Sequence, residues 1–256
     1  MIDVIQLLRQ VGLRSSEEAV LGLFKHAAKT RMNPESLIEK LVEIELRERD
    51  AKNLQRRTRA ATLGRFKTLD KFDWAHPRKI DRPLIERLFE LDFIAESPPQ
   101  NILLRGPAGV GKTTIAQNLG LTALQAGYTV KFSTLPAALA DLLAQESLPA
   151  TERRMKRYTT PDLLILDELG YVPCDSRAAD LFFNIISRRH ENRSVVITTN
   201  LSFKSWADVF PDAACLGALI DRFAEHCHAV DIDADSYRRR SAQQKKSKST
   251  TTRRRR

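Results

Sequence analysis

Cysteine is scarce in this sequence, with three in 256 residues. Cys174, Cys215 and Cys227 are scattered and form no Cys-x-x-Cys pair, which excludes a disulfide framework or a zinc ribbon and fits a reducing cytoplasm. No apolar run approaches the ~18 residues that a membrane span needs. Met1 leads straight into an amphipathic stretch with Asp3 and Arg9, so the expectation is a cytoplasmic, unexported chain with no membrane attachment. Acid is missing from one whole stretch. Residues 238–256 hold ten of the 42 Lys and Arg and no Asp or Glu, and the rest of the chain balances at 32 basic against 32 acidic residues. The formal charge of +10 therefore resides in that tail. Eight further basic residues gather at 47–67 against only Glu48 and Asp50. There is no internal repeat, and the tail is the sole low-complexity segment. It cannot pack a core and reads as disordered until it binds something.

An apolar content of 42% supports one full α/β core with a small helical appendage. Residues 1–63 read as three helices: one beginning with Val4, Ile5, Leu7 and Leu8; one opened by a Ser15/Glu18 capping box ahead of Val20, Leu21, Leu23 and Phe24; and one started by Asn33-Pro34. The third carries Leu37, Ile38, Leu41 and Ile44 on one stripe and turns basic after Arg47. Residues 64–83 read as a linker that wraps onto the next domain. Beyond it, strands at 101–105, 129–133, 163–167, 195–199 and 229–232 alternate with helices near 84–93, after Gly111, and at 137–143, 178–190 and 216–224. That alternation predicts an α/β domain with a five-stranded parallel sheet covered on both faces.

Gly106-Pro107-Ala108-Gly109-Val110-Gly111-Lys112-Thr113 matches the phosphate-binding loop pattern and stands between an apolar strand and a helix opening with Thr114. Glycines let backbone N–H groups converge on phosphate oxygens at a helix N-terminus, Lys112 reaches the terminal phosphates, and the Thr113 hydroxyl ligates Mg²⁺. The second buried strand, Leu163 to Leu166, ends in Asp167 and Glu168, which emerge at the same carboxyl edge of the sheet. Asp167 suits the Mg²⁺ shell and Glu168 suits a general base on water. After the strand at 194–199, the Asn200 amide could orient that water or contact a γ-phosphate, or it could simply begin a turn. Arg222 points away from the stripe Leu216, Leu219, Ile220 and Phe223, as a solvated arginine would. His226 and His228 flank Cys227 but lack companion ligands for zinc. Trp74 and Trp206 read as packing residues.

The run Asp167-Glu168-Leu169-Gly170-Tyr171, with Phe182-Phe183, Ile185-Ile186-Ser187, Ser194 through Asn200-Leu201, and Trp206 with Val209-Phe210, closely resembles the IstB-like helper ATPases of bacterial transposition. It is similar, less closely, to the DnaC-type helicase loaders. Lys67-Thr68-Leu69 and Phe72-Asp73 look like the family's entry segment, so the resemblance covers roughly residues 64–240.

The resemblance implies an AAA+ fold that binds ATP and Mg²⁺, with Asn200 as sensor I and Arg238 of Ser236-Tyr237-Arg238 as sensor II. It also implies that Arg222 of Asp221-Arg222 is an arginine finger acting on a neighbouring subunit of a homo-oligomer. Two departures stand out: Thr114 replaces a common histidine, and Ala108 replaces a more usual proline or glycine; neither removes a phosphate contact. Only the basic tail follows Asp231, so a full C-terminal lid is not expected.

The domain reading is then 1–63 helical and DNA- or partner-binding, 64–83 linker, 84–237 AAA+ ATPase, and 238–256 basic tail. The expected activity is ATP hydrolysis by a protein that assembles on duplex DNA, largely independently of sequence, and recruits or stimulates a transposase. A replicative helicase loader is the alternative within the same chemistry. A small-molecule kinase and a nucleotide-gated scaffold are the rivals outside it.

Overall fold

The computed structural model describes residues 4–170, 175–211, 213–237 and 239–240. The chain forms two compact units, Met1–Arg59 and Ala60–Arg256.

The first unit contains α1 (Val4–Gln10), α2 (Glu17–Thr30) and most of α3 (Pro34–Ala61). Asn33 caps α3 by accepting the Ser36 N–H at 2.7 Å, as the Asn-Pro start implies. The expected capping box on α2 does not form. Ser16 occupies the N-cap position without a side-chain cap, and both serines turn to glutamates of α3. Glu45 accepts the N–H groups of Arg14 and Ser15 at 2.7 Å and the Ser15 hydroxyl at 2.5 Å, while Glu48 accepts the Ser16 N–H at 2.8 Å and its hydroxyl at 2.6 Å. A carboxylate is the stronger acceptor and places negative charge at the positive end of α2, so it displaces the local cap. The stripe on α3 is narrower than expected, because Ile38 is 62% exposed while Leu37, Leu41 and Ile44 are half-buried.

The second unit is built on five parallel strands in the order β2-β3-β4-β1-β5: β1 (Asn101–Arg105), β2 (Val130–Thr134), β3 (Leu163–Leu169), β4 (Ser194–Thr199) and β5 (Cys227–Asp231). Every expected strand is present. Helices α4 (Arg82–Leu88), α5 (Asp92–Ala95), α6 (Lys112–Gln125), α7 (Leu135–Leu143), α8 (Leu148–Thr159), α9 (Ser176–Arg189), α10 (Trp206–Val209) and α11 (Leu216–Ala224) connect and cover them. The single helix expected at 84–93 breaks in two, with Leu91 in the left-handed region at φ 68°. Helix α8 carries little apolar periodicity, because only Met155 and Tyr158 are buried and most of its other residues are polar. Its start is nevertheless legible in Ser147-Leu148-Pro149, where the Ser147 hydroxyl accepts the Ala150 N–H.

Residues 64–83 lie on this second unit. Leu69 N–H donates to Asn118 Oδ1 at 3.0 Å, Asn118 Nδ2 donates to the Lys67 carbonyl at 2.9 Å, and Lys79 bridges Asp233. The apolar core beneath α7, α9 and α11 is centred on Phe182, Trp206, Phe210 and Phe223, all 0–1% exposed. Trp206 is thus a packing residue. Trp74 tilts against Phe72 at 4.7 Å, with the Arg82 guanidinium 5.1 Å from its ring. Among the described residues no helical lid follows β5.

Candidate nucleotide site

β1 ends at the carboxyl edge of the sheet, between β4 and β5, and the chain turns there into α6 through residues 106–111. The Gly106 N–H donates to the Thr199 carbonyl at 3.1 Å, which pins the loop's start to the end of β4. Gly109 and Gly111 take φ of 84° and 104°. A Cβ on Gly109 would strike Ser236, and one on Gly111 would strike the Phe72 ring, so both positions demand glycine for backbone angle and for space.

Lys112 is 7% exposed, and its amine donates to the Gly106 and Pro107 carbonyls at 2.6 and 2.8 Å. One residue on, the Thr113 hydroxyl lies 3.0 Å from both oxygens of Asp167, which is 3% exposed in the C-terminal part of β3. Asp167 also accepts a hydrogen bond from the Thr198 hydroxyl of β4. Glu168 follows, exposed, with φ 65°.

Residues 108–114, Asp167 and Glu168 line one cleft of about 510 Å³. The other expected site residues stand apart from it. Asn200 is exposed and opens on a neighbouring depression with Gly106, Pro107, Ser202, and Arg105 in a bidentate pair with Asp231 at 2.6 and 2.7 Å. Arg222 lies on α11, where its guanidinium donates to Ser187 Oγ of α9 and sits 4.8 Å from the Phe183 ring centroid. It lines neither cleft. Arg238 falls outside the described residues.

The far wall of the cleft was not assigned from sequence. It comes from Phe66, Lys67, Phe72 and His76 of the 64–83 segment and from Tyr237 after β5. His76 Nε2 lies 2.8 Å from the Asp235 carbonyl, so Nε2 carries the proton and Nδ1 accepts from Arg240 at 2.8 Å. The His76 ring meets Tyr237 edge-on at 5.1 Å, and the Tyr237 N–H donates to the Gly109 carbonyl at 3.1 Å. These residues tie the entry segment and the post-β5 segment to the loop. The interleaved aromatics and bases of Phe66-Lys67, Phe72 and His76 were the available signal. Elsewhere, burial pushes the Cys227 thiol up to about 12, as befits a packed thiol.

The family described as "IstB-like ATP binding protein" matches residues 6–247. The chain is 33% identical over 232 residues to the ATP-binding protein of insertion sequence IS21 from Pseudomonas aeruginosa, covering 91% of this chain and 87% of that protein. Among solved structures, DnaI aligns with a TM-score of 0.55 at 20% identity over 64% of this chain and 90% of its own. The DnaC helicase loader aligns at 0.51 and 20%, over 65% and 96% respectively. These likenesses give the second unit its fold class, the AAA+ arrangement of helices about a parallel sheet. A glycine-rich strand-to-helix loop beside a part-buried hydroxyl–carboxylate pair, in a chain so similar over nearly its whole length to an insertion-sequence protein, leads to one assignment: this chain belongs to the IstB-like ATP-binding protein family.

Proposed function

We propose that the protein is a Mg²⁺-dependent ATPase that assembles on duplex DNA and recruits or stimulates a transposase for target-site selection. The observation that carries the reading is the meeting of the phosphate loop, the Thr113–Asp167 pair and the exposed Glu168 in one cleft, in a chain one-third identical to an IS21 ATP-binding protein.

The residues fit a nucleoside triphosphate and its cation. Backbone N–H groups at the N-terminus of α6 and the Lys112 amine are anion donors, and the Thr113 hydroxyl with the Asp167 carboxylate is a hard oxygen pair. When bound, MgATP supplies the γ-phosphoryl group and the cation that offsets its charge. The chain's own part is positioning. Lys112 and the loop hold phosphates, Thr113 and Asp167 hold the cation, and Glu168 takes the proton of the attacking water. Asn200 serves as sensor I and Arg238 as sensor II. Arg222 of an adjacent copy completes the site. That it lines neither of these clefts in its own chain supports that reading. The basic segments at 47–67 and 238–256 offer phosphate contacts without a base-reading motif, which supports binding to duplex DNA largely independent of sequence.

The test is ATP turnover measured alone, with duplex DNA and with single-stranded DNA. Stimulation by duplex supports the proposal. Turnover indifferent to DNA refutes it, and preference for single strands with helicase binding favours a loader.

A further inference from the structure

β3 and β4 run in regular parallel register as far as Leu166 opposite Ile197, and register resumes with Leu169 opposite Thr199. Between these points β3 has two residues, Asp167 and Glu168, where β4 has one, Thr198. This two-against-one arrangement is a bulge, a device that re-aims a side chain where a regular strand would turn it to the opposite face. Here it lets consecutive acids line the same cleft. The re-aimed residue is Glu168, whose φ of 65° is a left-handed conformation that a glutamate adopts only when its surroundings enforce it.

Thr198 supplies that enforcement. It is 1% exposed, and its hydroxyl accepts the Glu168 N–H at 3.1 Å while donating its proton to Asp167 Oδ1. A hydroxyl has one proton to give and lone pairs to receive, so a single side chain ties the backbone of one acid to the carboxylate of the other. On the next residue, the Thr199 hydroxyl donates to the Leu169 carbonyl at 2.8 Å and secures the far side of the bulge.

We infer that Thr198 is a positioning residue for the acid pair: its hydroxyl replaces the ladder hydrogen bonds missing at the bulge and fixes Asp167 and Glu168 relative to each other. The role rests on the ATPase reading above, in which Asp167 holds the cation and Glu168 activates water.

The test compares Thr198→Val, which keeps the shape and removes the hydroxyl, with Thr198→Ser, which keeps the hydroxyl, in the full chain. Three measurements are made: amide hydrogen exchange across 166–170 without nucleotide, affinity for a fluorescent non-hydrolysable ATP analogue, and steady-state turnover. In Thr198→Val the Glu168 amide should exchange about tenfold faster or more. Analogue affinity should hold within about threefold while kcat falls ~10²-fold, because a small misplacement of a catalytic group penalises chemistry more than binding. Thr198→Ser should lie within about threefold of wild type in all three. If Thr198→Val exchanges and turns over like wild type, or Thr198→Ser is as impaired as Thr198→Val, the inference is overturned. A wild-type protein that does not hydrolyse ATP would sink the ATPase reading instead, and the exchange measurement would still decide whether Thr198 holds Glu168.

Discussion

Replacing Arg222 with alanine separates an assembly-coupled ATPase from a self-sufficient one, and the structure sets the size of the competing explanation. Within its own chain Arg222 makes one hydrogen bond to Ser187 and one cation–π contact with Phe183, and it is partly exposed. Removing the first, which has a charged donor, costs about 1.5–3 kcal/mol and the second about 0.5–1 kcal/mol. Domains of this kind are stable by roughly 5–15 kcal/mol, so a loss of about 3 kcal/mol leaves ~97% or more of the molecules folded. Turnover would then stay within a few per cent of normal if Arg222 only braced α11 against α9. A trans finger predicts something of another order: a fall of ~10³-fold or more in hydrolysis, about 4 kcal/mol of transition-state stabilisation, with ATP binding nearly unchanged. The decisive assay mixes Arg222→Ala with Lys112→Ala, each inactive alone. At mixed interfaces the first contributes an intact phosphate loop and the second an intact arginine, so turnover should partly recover at concentrations and DNA loads that allow assembly. A mixture that co-assembles and remains as inactive as its components refutes the trans mechanism.

Three further outcomes are expected. Lys112→Ala should lose ATP affinity, whereas Glu168→Gln should retain it and stop hydrolysing, because only the first removes a phosphate contact; equal loss of affinity in both would show the roles to be misassigned. Deleting residues 241–256 should flatten the dependence of log K for DNA on log salt by about 0.9 for each DNA phosphate that the tail neutralises, and an unchanged slope would remove the tail from the interface. In the first unit, burial alone would raise the Glu45 carboxyl, but hydrogen bonds from the Ser15 hydroxyl, the Arg14 N–H, Arg49 and the Ser15 N–H outweigh it and bring the pKa down from 4.5 to about 2. Because the folded value is depressed, this stabilisation is complete above the unfolded value of 4.5 and disappears as pH falls toward about 2. Glu45→Gln should therefore lower protection of α2 amides by roughly 1–3 kcal/mol at neutral pH and flatten their acid response; identical acid profiles would refute the assignment.

What the sequence by itself determined lies within a few residues of its signal. Gly106 through Thr113 announce a glycine turn from strand into helix because backbone freedom and a helix start are local properties, and Asn33-Pro34 announces α3 for the same reason. The five strands are legible because parallel strands buried on both faces read as short apolar runs. The tertiary structure decided which of these pieces meet. The order β2-β3-β4-β1-β5 sets Asp167 against Thr113, 54 residues away in sequence, and Arg105 against Asp231, 126 away. No periodicity within one segment records such pairings. The Ser15/Glu18 box was a sound local reading that failed because Glu45, 30 residues from Ser15, offers the helix end a charged acceptor. The segment read as a linker became a wall of the cleft because Phe72 and His76 pack on residues far along the chain. The bulge that turns Glu168 beside Asp167 sets the extra residue against a buried hydroxyl of β4, a pairing that only the assembled sheet creates.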